Sequence, residues 1–180
     1  MSKSFRTLAV AAAAVAALSA PQAHAALGDA LVATGGNILI TFEGTDADYN
    51  SFIRVNGGSW IFPNKTTPVG TTLDLGFFAA GTLLDIELKV VNTGHIFRTG
   101  PAAGNPDKHP HANVVYNWKG QAGRTWVGFE DLYNGGDKDY NDHMFSFTNI
   151  TAQVPEPETY GLMLAGLGVM GFLARRRRQA

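Results

Sequence analysis

Short runs of alternating apolar and polar residues, separated by Gly, Asn and Pro, fill the middle of the chain, and no helical apolar period is sustained there. In the run NILITFE, for example, Ile38, Ile40 and Phe42 share one face of a strand because successive strand side chains point to opposite faces. We expect an all-β fold, a single β-sandwich or jelly-roll-like domain. The predicted strands beyond 38–42 are 51–55, 59–62, 71–78, 82–91, 95–98, 112–118, 124–129 and 143–150. Asn56-Gly57-Gly58 predicts a hairpin between the first two of these.

The N-terminal end has the composition of a cleaved export signal. Lys3 and Arg6 precede an apolar run, LAVAAAAVAAL, and Ala23-His24-Ala25 follows it as a small-x-small site. This order of charge, apolar run and small residues is the pattern that signal peptidase recognises. We therefore predict a signal peptide at 1–25, cleaved after Ala25, followed by the all-β domain at 26–152.

The C-terminal end, VPEPETYGLMLAGLGVMGFLARRRRQA, has three parts in order. Pro155, Glu156 and Pro157 form a break, 15 uncharged and mostly apolar residues follow at 160–174, and the last part is a basic run of Arg175, Arg176, Arg177 and Arg178. A helix of this length reaches about 22 Å, less than the roughly 30 Å hydrocarbon core of a bilayer. We expect this short hydrophobic helix to engage the inner membrane only transiently, with the arginines at the cytoplasmic face.

This tail resembles the PEP-CTERM sorting signal of Gram-negative, polysaccharide-producing bacteria, and the resemblance covers 153–180. It implies that a membrane protease, exosortase, cuts near the Pro-Glu-Pro. It also implies a secreted protein at the cell surface or in the extracellular matrix, with a membrane-inserted precursor. The alternative is an ordinary single-pass membrane anchor.

Cysteine content and charge limit what can stabilise and bind the mature domain. The chain has no cysteine, so disulfides cannot brace it in an oxidising compartment. Residues 26–157 contain 8 basic and 14 acidic residues, a net charge of −6. Acidity of this size argues against nucleic acid or anionic lipid as a partner and favours cations or neutral sugars.

Carboxylates are concentrated in the stretch GFEDLYNGGDKDYNDHMFSF, at 128–147. Five carboxylates this close repel one another, by about 1 kcal/mol per pair in water at 4 Å. Calcium would relieve that repulsion because it accepts six to eight oxygen ligands in irregular geometry. Asp137, Asp139 and Asn141 have the one-three-five spacing of calcium loops, but Asp142 and Thr148 occupy positions where an EF-hand needs Gly and Glu.

A second stretch, FEGTDADYNSFIRV, repeats the pattern Phe-Glu followed by Asp-x-Asp-Tyr-Asn. We expect the first and last strands of the domain to lie side by side, which would bring both acidic turns to one edge. The alternative is that these acids only decorate solvated turns, where Asp and Asn are common. The residues concerned are Glu43, Asp46, Asp48 and Asn50.

FEDLYNGGDKDYNDHMF resembles the signature of a β-rich domain of unknown function found in PEP-CTERM proteins and large bacterial surface proteins. The resemblance extends upstream to Asn105-Pro106-Asp107 and His111-Ala112, and it departs at His143-Met144, where the family usually has an apolar pair. In that family the acidic motif is taken to bind calcium. This implies as calcium ligands Glu130, Asp131, Asp137, Asp139, Asn141 and Asp142, with Glu43, Asp46, Asp48, Asn50 and Asp107 as weaker candidates.

Three functions fit these features. The first is a non-enzymatic, calcium-binding protein of the surface or biofilm matrix, associated with exopolysaccharide. The second is a carbohydrate-binding module or adhesin that stacks sugars on Trp60, Trp118 or Trp126. The third is a glycan hydrolase in which Glu43 and Glu130 act as acid and base.

The histidines of the long loop at 99–110 and its flank allow two interpretations. His109 and His111 could form a zinc or copper pair. The favoured interpretation is that His111 forms a hydrogen bond across the loop and helps Asp107 to fix it.

Overall fold

The structure is a computed structural model that describes residues 27–153, 163–167 and 170, the last six of which are helical. In residues 27–153 it contains eleven strands and two short 3₁₀ helices, Ala102–Gly104 and Trp118–Gly120. The strands are β1 (Leu31–Ala33), β2 (Gly36–Gly44), β3 (Ser51–Val55), β4 (Thr72–Phe78), β5 (Leu83–Leu84), β6 (Ile86–Val90), β7 (Ile96–Arg98), β8 (Ala112–Tyr116), β9 (Arg124–Phe129), β10 (His143–Thr148) and β11 (Ile150–Ala152).

The strands form three antiparallel sheets around one core. One sheet has five strands in the order β4-β2-β10-β9-β8, and the other two have the orders β3-β6-β7 and β11-β1-β5. Buried side chains from all three sheets join a single hydrophobic cluster, to which Phe42, Leu88 and Phe145 belong. The expected all-β, sandwich-like single domain is confirmed.

The predicted alternation decides which side chains reach this core. Ile38, Ile40 and Phe42 of β2 are buried, as are His143, Phe145 and Phe147 of β10, whereas Met144 is partly exposed. Complete burial of a phenylalanine side chain stabilises the fold by about 1.5–3 kcal/mol. The departure at His143-Met144 therefore leaves the apolar face of β10 directed inward.

The predicted neighbours, β2 and β10, lie side by side at the centre of the five-stranded sheet, with Phe42 opposite Phe145. Beyond their ends, the Asp46 N–H donates to the Asn141 carbonyl over 3.0 Å. The Thr45 hydroxyl donates to the Asp142 carbonyl over 2.5 Å. The two acidic turns therefore meet at one edge of the domain, as predicted.

Three strand predictions were wrong, and local backbone geometry explains each. Residues 59–62 form only an isolated bridge, Ile53 to Ile61, because Phe62 has a φ of 51°, outside the strand region. Residues 82–91 divide at Asp85, whose backbone N–H and C=O both bond to Asn56, so β5 and β6 belong to different sheets. Asn149, with a φ of 55°, separates β10 from β11.

The predicted processing residues lie outside the described part of the chain. These are Ala25 with the signal peptide, Pro155, Glu156 and Pro157, and the arginines 175–178. Among the residues that the structure describes, no helix has the length and apolar character needed to cross a membrane.

Candidate metal centre at the acidic edge

The acidic segment, residues 130–142, leaves the end of β9 and returns as β10. Its backbone turns through left-handed conformations at Asn134, Lys138 and Tyr140, with φ of 68°, 66° and 58°. Asn adopts this conformation readily, whereas larger side chains adopt it at a cost. The Asp142 N–H closes the segment by donating to the Phe129 carbonyl over 3.1 Å.

Three carboxylates converge within this segment. Glu130, Asp137 and Asp139 each place one oxygen within 4.8 Å of the oxygens of the other two. Two ligands on opposite sides of a calcium ion, each at about 2.4 Å, lie about 4.8 Å apart, so one ion can contact all three oxygens. Glu130 is fully buried, while Asp137 and Asp139 are exposed, which leaves one side of this three-carboxylate group open for water ligands.

Glu130 is the most constrained member of the group. Its Oε1 accepts a hydrogen bond from the Tyr140 N–H over 2.6 Å, whereas its buried Oε2 has no partner in the part of the chain described. Burial raises the pKa of Glu130 to about 7; the Tyr140 hydrogen bond opposes this rise, and the nearby aspartate charges add to it. A buried carboxylate without a partner is unfavourable, and a bound cation would remove the deficit.

Glycine is required at two positions around Glu130. A Cβ at Gly136, whose φ is 45°, would overlap Oε2 of Glu130. A Cβ at Gly128 would overlap the carbonyl oxygen of Tyr140. Gly136 therefore lets the backbone approach the buried Glu130 carboxylate, whereas the sequence indicated only a turn at this position.

Asp131 and Asp142 form a second pair beside this group. The Asp131 N–H donates to Oδ2 of Asp142 over 2.8 Å, and Oδ2 of Asp131 is buried without a hydrogen-bond partner among the described residues. Burial, followed by the charge of Asp142, raises the pKa of Asp131 to about 7, and the Lys65 charge opposes the rise. Burial also raises the pKa of Asp142.

The remaining predicted ligands have other partners or other positions. Asn141 donates both its backbone N–H and its side-chain amide to Asp139, so it positions that carboxylate. Oε1 of Glu43 accepts from Arg124 over 2.9 Å and from Ser146 over 2.6 Å. Three predicted ligands in the turn after β2 have exposed side chains and lie outside the three-carboxylate group. They are Asp46, Asp48 and Asn50.

The predicted hydrogen bond of His111 across the long loop is present, and its partner is Asp107. His111 is fully buried; its Nε2–H donates to Oδ2 of the Asp107 carboxylate over 2.8 Å, and its Nδ1 lies 2.9 Å from the Glu130 carbonyl oxygen. Burial opposes ionisation of Asp107, but bonds from His111 and from the His109 and Asn134 N–H groups lower its pKa to about 2. Asp107 thus ties the long loop to the acidic segment, and both ring nitrogens of His111 are engaged.

Sequence reasoning missed several residues at this edge. Lys65 donates to the Ala47 carbonyl and lies near Asp131. Tyr49, His95 and Tyr133 line a cavity beside the acidic segment. No local motif predicts this cavity, because its walls come from separate stretches of the chain.

Comparison with protein families first defines the class of protein. Residues 153–178 match the PEP-CTERM protein-sorting motif. The chain is thus an exported protein that is sorted to the cell envelope or surface and processed by exosortase.

A second match concerns the domain itself. Residues 70–149 match the Domain of unknown function (DUF4114). The matched range contains β4 to β10 and the whole acidic segment, whereas β2, which lies between β4 and β10 in the sheet, precedes it. No curated protein and no solved structure is detectably similar to this chain.

Proposed function

We propose that this protein is a non-enzymatic, calcium-braced component of the exopolysaccharide matrix at the cell surface. The observation that carries the proposal is the buried Glu130 carboxylate: its Oε2 has no partner among the described residues, and one of its oxygens lies within 4.8 Å of an oxygen of Asp137 and of Asp139. The sorting motif supports the location, because it directs an exported protein to the envelope or surface.

The chemistry of the donor set favours calcium over other cations. The three groups are all carboxylates, whereas zinc sites are built mainly from cysteine and histidine. Magnesium demands near-ideal octahedral geometry and a short ligand distance, and irregular loops with exposed ligands suit calcium better. Asp131 and Asp142 stand close enough to influence Glu130 through charge and to strengthen the cation-attracting field.

The ion would act as a brace for a domain without disulfides. It would join the end of β9 to the acidic segment just before β10, a central strand of the five-stranded sheet. Glu130 is fully buried and so is not accessible to a glycosidic bond, which supports the non-enzymatic part of the proposal.

Calcium should raise the thermal midpoint of the mature domain. At about one hundred times its dissociation constant, an ion that binds only the folded state adds about 2.7 kcal/mol, or roughly 10 °C for a domain of this size. Asp137→Asn should lose most of this shift, because the amide keeps the shape of the carboxylate but not its charge. The measurement is thermal unfolding by circular dichroism in excess calcium and in chelator.

Asp74→Asn is the matched control, since Asp74 is an exposed aspartate on β4, outside the three-carboxylate group. It should respond to calcium like the unmodified protein. An equal midpoint in calcium and in chelator would contradict calcium binding. An equal response of Asp137→Asn and Asp74→Asn to calcium would contradict the assignment of Asp137 as a ligand.

Processing should be visible in the intact mass of the protein recovered from culture supernatant. We expect the mature chain to begin at Ala26 and to end between Pro155 and Glu158. Replacement of Pro155, Glu156 and Pro157 by alanine should retain the apolar tail and the arginines, and should keep the protein with the cells. A supernatant mass that extends to Ala180 would contradict exosortase processing.

A further inference from the structure

A cavity of about 410 Å³ lies at the acidic edge, where three parts of the chain meet. These are the early acidic turn (residues 45–50), the turn between β6 and β7, and the acidic segment. Its volume is in the range of small-molecule sites. Its wall includes Gly136, on which the Glu130 carboxylate packs. The side chains that matter for recognition are those of Tyr49, His95, Asp131 and Tyr133.

Two polar atoms of these side chains have unmet hydrogen-bonding capacity. Oδ2 of Asp131 and Nδ1 of His95 are both buried, and neither has a hydrogen-bond partner among the described residues. Native proteins pair nearly all buried polar atoms, so two unpaired atoms on side chains that line the same cavity call for a partner that the cavity can supply. A ligand hydroxyl can donate to the carboxylate and can either donate to or accept from the imidazole.

Aromatic rings supply the apolar part of the same cavity. The Tyr133 ring lies 5.0 Å from the His95 ring at an interplanar angle of 40°, and 48 % of Tyr133 is exposed. The Tyr133 hydroxyl lies 3.5 Å from the Pro106 carbonyl oxygen. An exposed ring with a polar end offers a flat apolar surface next to hydrogen-bonding groups, which suits an amphipathic ring such as a sugar.

Charge selects among sugar classes. The acidic segment carries five carboxylates and one lysine, so its potential disfavours uronic acids and phosphorylated sugars. We propose that this cavity binds an uncharged sugar unit of a polysaccharide, with Tyr133 stacking on the ring and Asp131 and His95 bonding to its hydroxyls.

The sugar site rests in part on the proposed calcium site, because both use the acidic segment. Asp131, Tyr133 and Gly136 line the cavity, and Glu130, Asp137 and Asp139 would hold the ion. An ion that fixes this segment would also fix one wall of the sugar site. Sugar affinity should therefore fall when calcium is removed.

The test is titration calorimetry of the mature domain, in calcium and in chelator, with neutral tetrasaccharides of glucose, mannose and galactose. We expect at least one of them to bind in calcium. Tyr133→Ala and His95→Phe should each weaken that binding about tenfold, which corresponds to the loss of one stacking or hydrogen-bonding contact. Both variants should keep the calcium-dependent thermal midpoint of the unmodified domain.

Trp118→Ala is the matched control, because it removes an aromatic ring outside the cavity and should leave affinity unchanged. No binding of any neutral tetrasaccharide, preference for a glucosamine or uronic acid tetrasaccharide, or equal loss in Trp118→Ala would overturn the inference. Sugar binding that persists in chelator would leave the cavity assignment intact and contradict only its coupling to calcium.

Discussion

Raising the pH from about 5 to about 8 should remove the stability that Glu130 and Asp131 give the calcium-free domain and should increase the stability gained from calcium. The reason lies in two buried carboxyl groups. Burial raises the pKa of Glu130 from 4.5 to about 7 and that of Asp131 from 3.8 to about 7. Between the ordinary and the raised values the folded state holds more protons than the unfolded state. The stability that these two groups contribute is thus complete below pH 4 or so and is lost as the pH rises through about 7.

The pKa shifts of Glu130 and Asp131 determine how much stability they remove from the calcium-free domain as the pH rises. Each unit of pKa difference corresponds to about 1.36 kcal/mol, and screening by solvent at the open side of the site reduces the total to about 3 kcal/mol. Calcium binds only the ionised carboxylates, so its affinity rises with pH. The stability gained from calcium, taken as the difference between the two curves at each pH, should therefore grow from about pH 5 to about pH 8.

The measurement is the urea midpoint of tryptophan fluorescence at both pH values, in excess calcium and in chelator. Glu130→Gln should remove about half of the carboxyl contribution to the pH dependence without calcium, since Asp131 remains, and should abolish the gain from calcium. Asp74→Asn should behave like the unmodified domain. A gain from calcium that is the same at both pH values would contradict the calcium site and the buried state of these carboxyls together.

Much of the fold could be predicted because strand faces are local properties. The alternation of Ile38, Ile40 and Phe42, and of His143, Phe145 and Phe147, determines which side chains enter the core once each run is extended. The repeated acidic pattern after β2 and before β10 also predicted that these strands pair. Strand breaks were missed where a single residue adopts positive φ, as Phe62 and Asn149 do, because neither residue type requires it.

The sequence predicted that these carboxylates cluster. It did not predict that they separate into the three-carboxylate group and the Asp131–Asp142 pair. The spacing of Asp137 and Asp139 placed both on one side, and the structure brings them to Glu130. The separate pairing of Asp131 with Asp142 depends on left-handed backbone at Lys138 and Tyr140, which the sequence does not indicate. The cavity between Tyr49, His95 and Tyr133 exists only after three distant turns have met.

His143→Leu should protect the domain against acid. His143 is fully buried at the centre of the fold, its Nδ1 lies 2.9 Å from the Ser51 hydroxyl, and its Nε2 has no partner among the described residues. Burial lowers the pKa of His143 from 6.5 to about 3. Between these two pKa values, His143 is therefore protonated in the unfolded state and neutral in the folded state. The stability that depends on neutral His143 is present above pH 6.5 or so and is lost as the pH falls towards about 3.

By about pH 4 this single group should cost the unmodified domain about 3 kcal/mol, an effect that His143→Leu would not show. Near pH 7 the order reverses, because leucine leaves the Ser51 hydroxyl unpaired at a cost of about 1–2 kcal/mol. It also loses the edge contact to Phe42, whose ring centroid is 5.4 Å from that of His143. The stability curves of the two proteins should therefore cross between these pH values.

Urea midpoints across this pH range, measured in chelator, test the crossing. The buried carboxyls titrate alike in both proteins, so the difference between the curves isolates His143. Addition of Ser51→Ala to the leucine variant should recover most of the loss near neutral pH, because the unpaired hydroxyl is gone. His109→Gln, at an exposed histidine, serves as the control and should leave the curve unchanged. Parallel curves for His143→Leu and the unmodified domain would show that His143 ionises in the folded state, and the assigned burial of a neutral imidazole against Ser51 would be wrong.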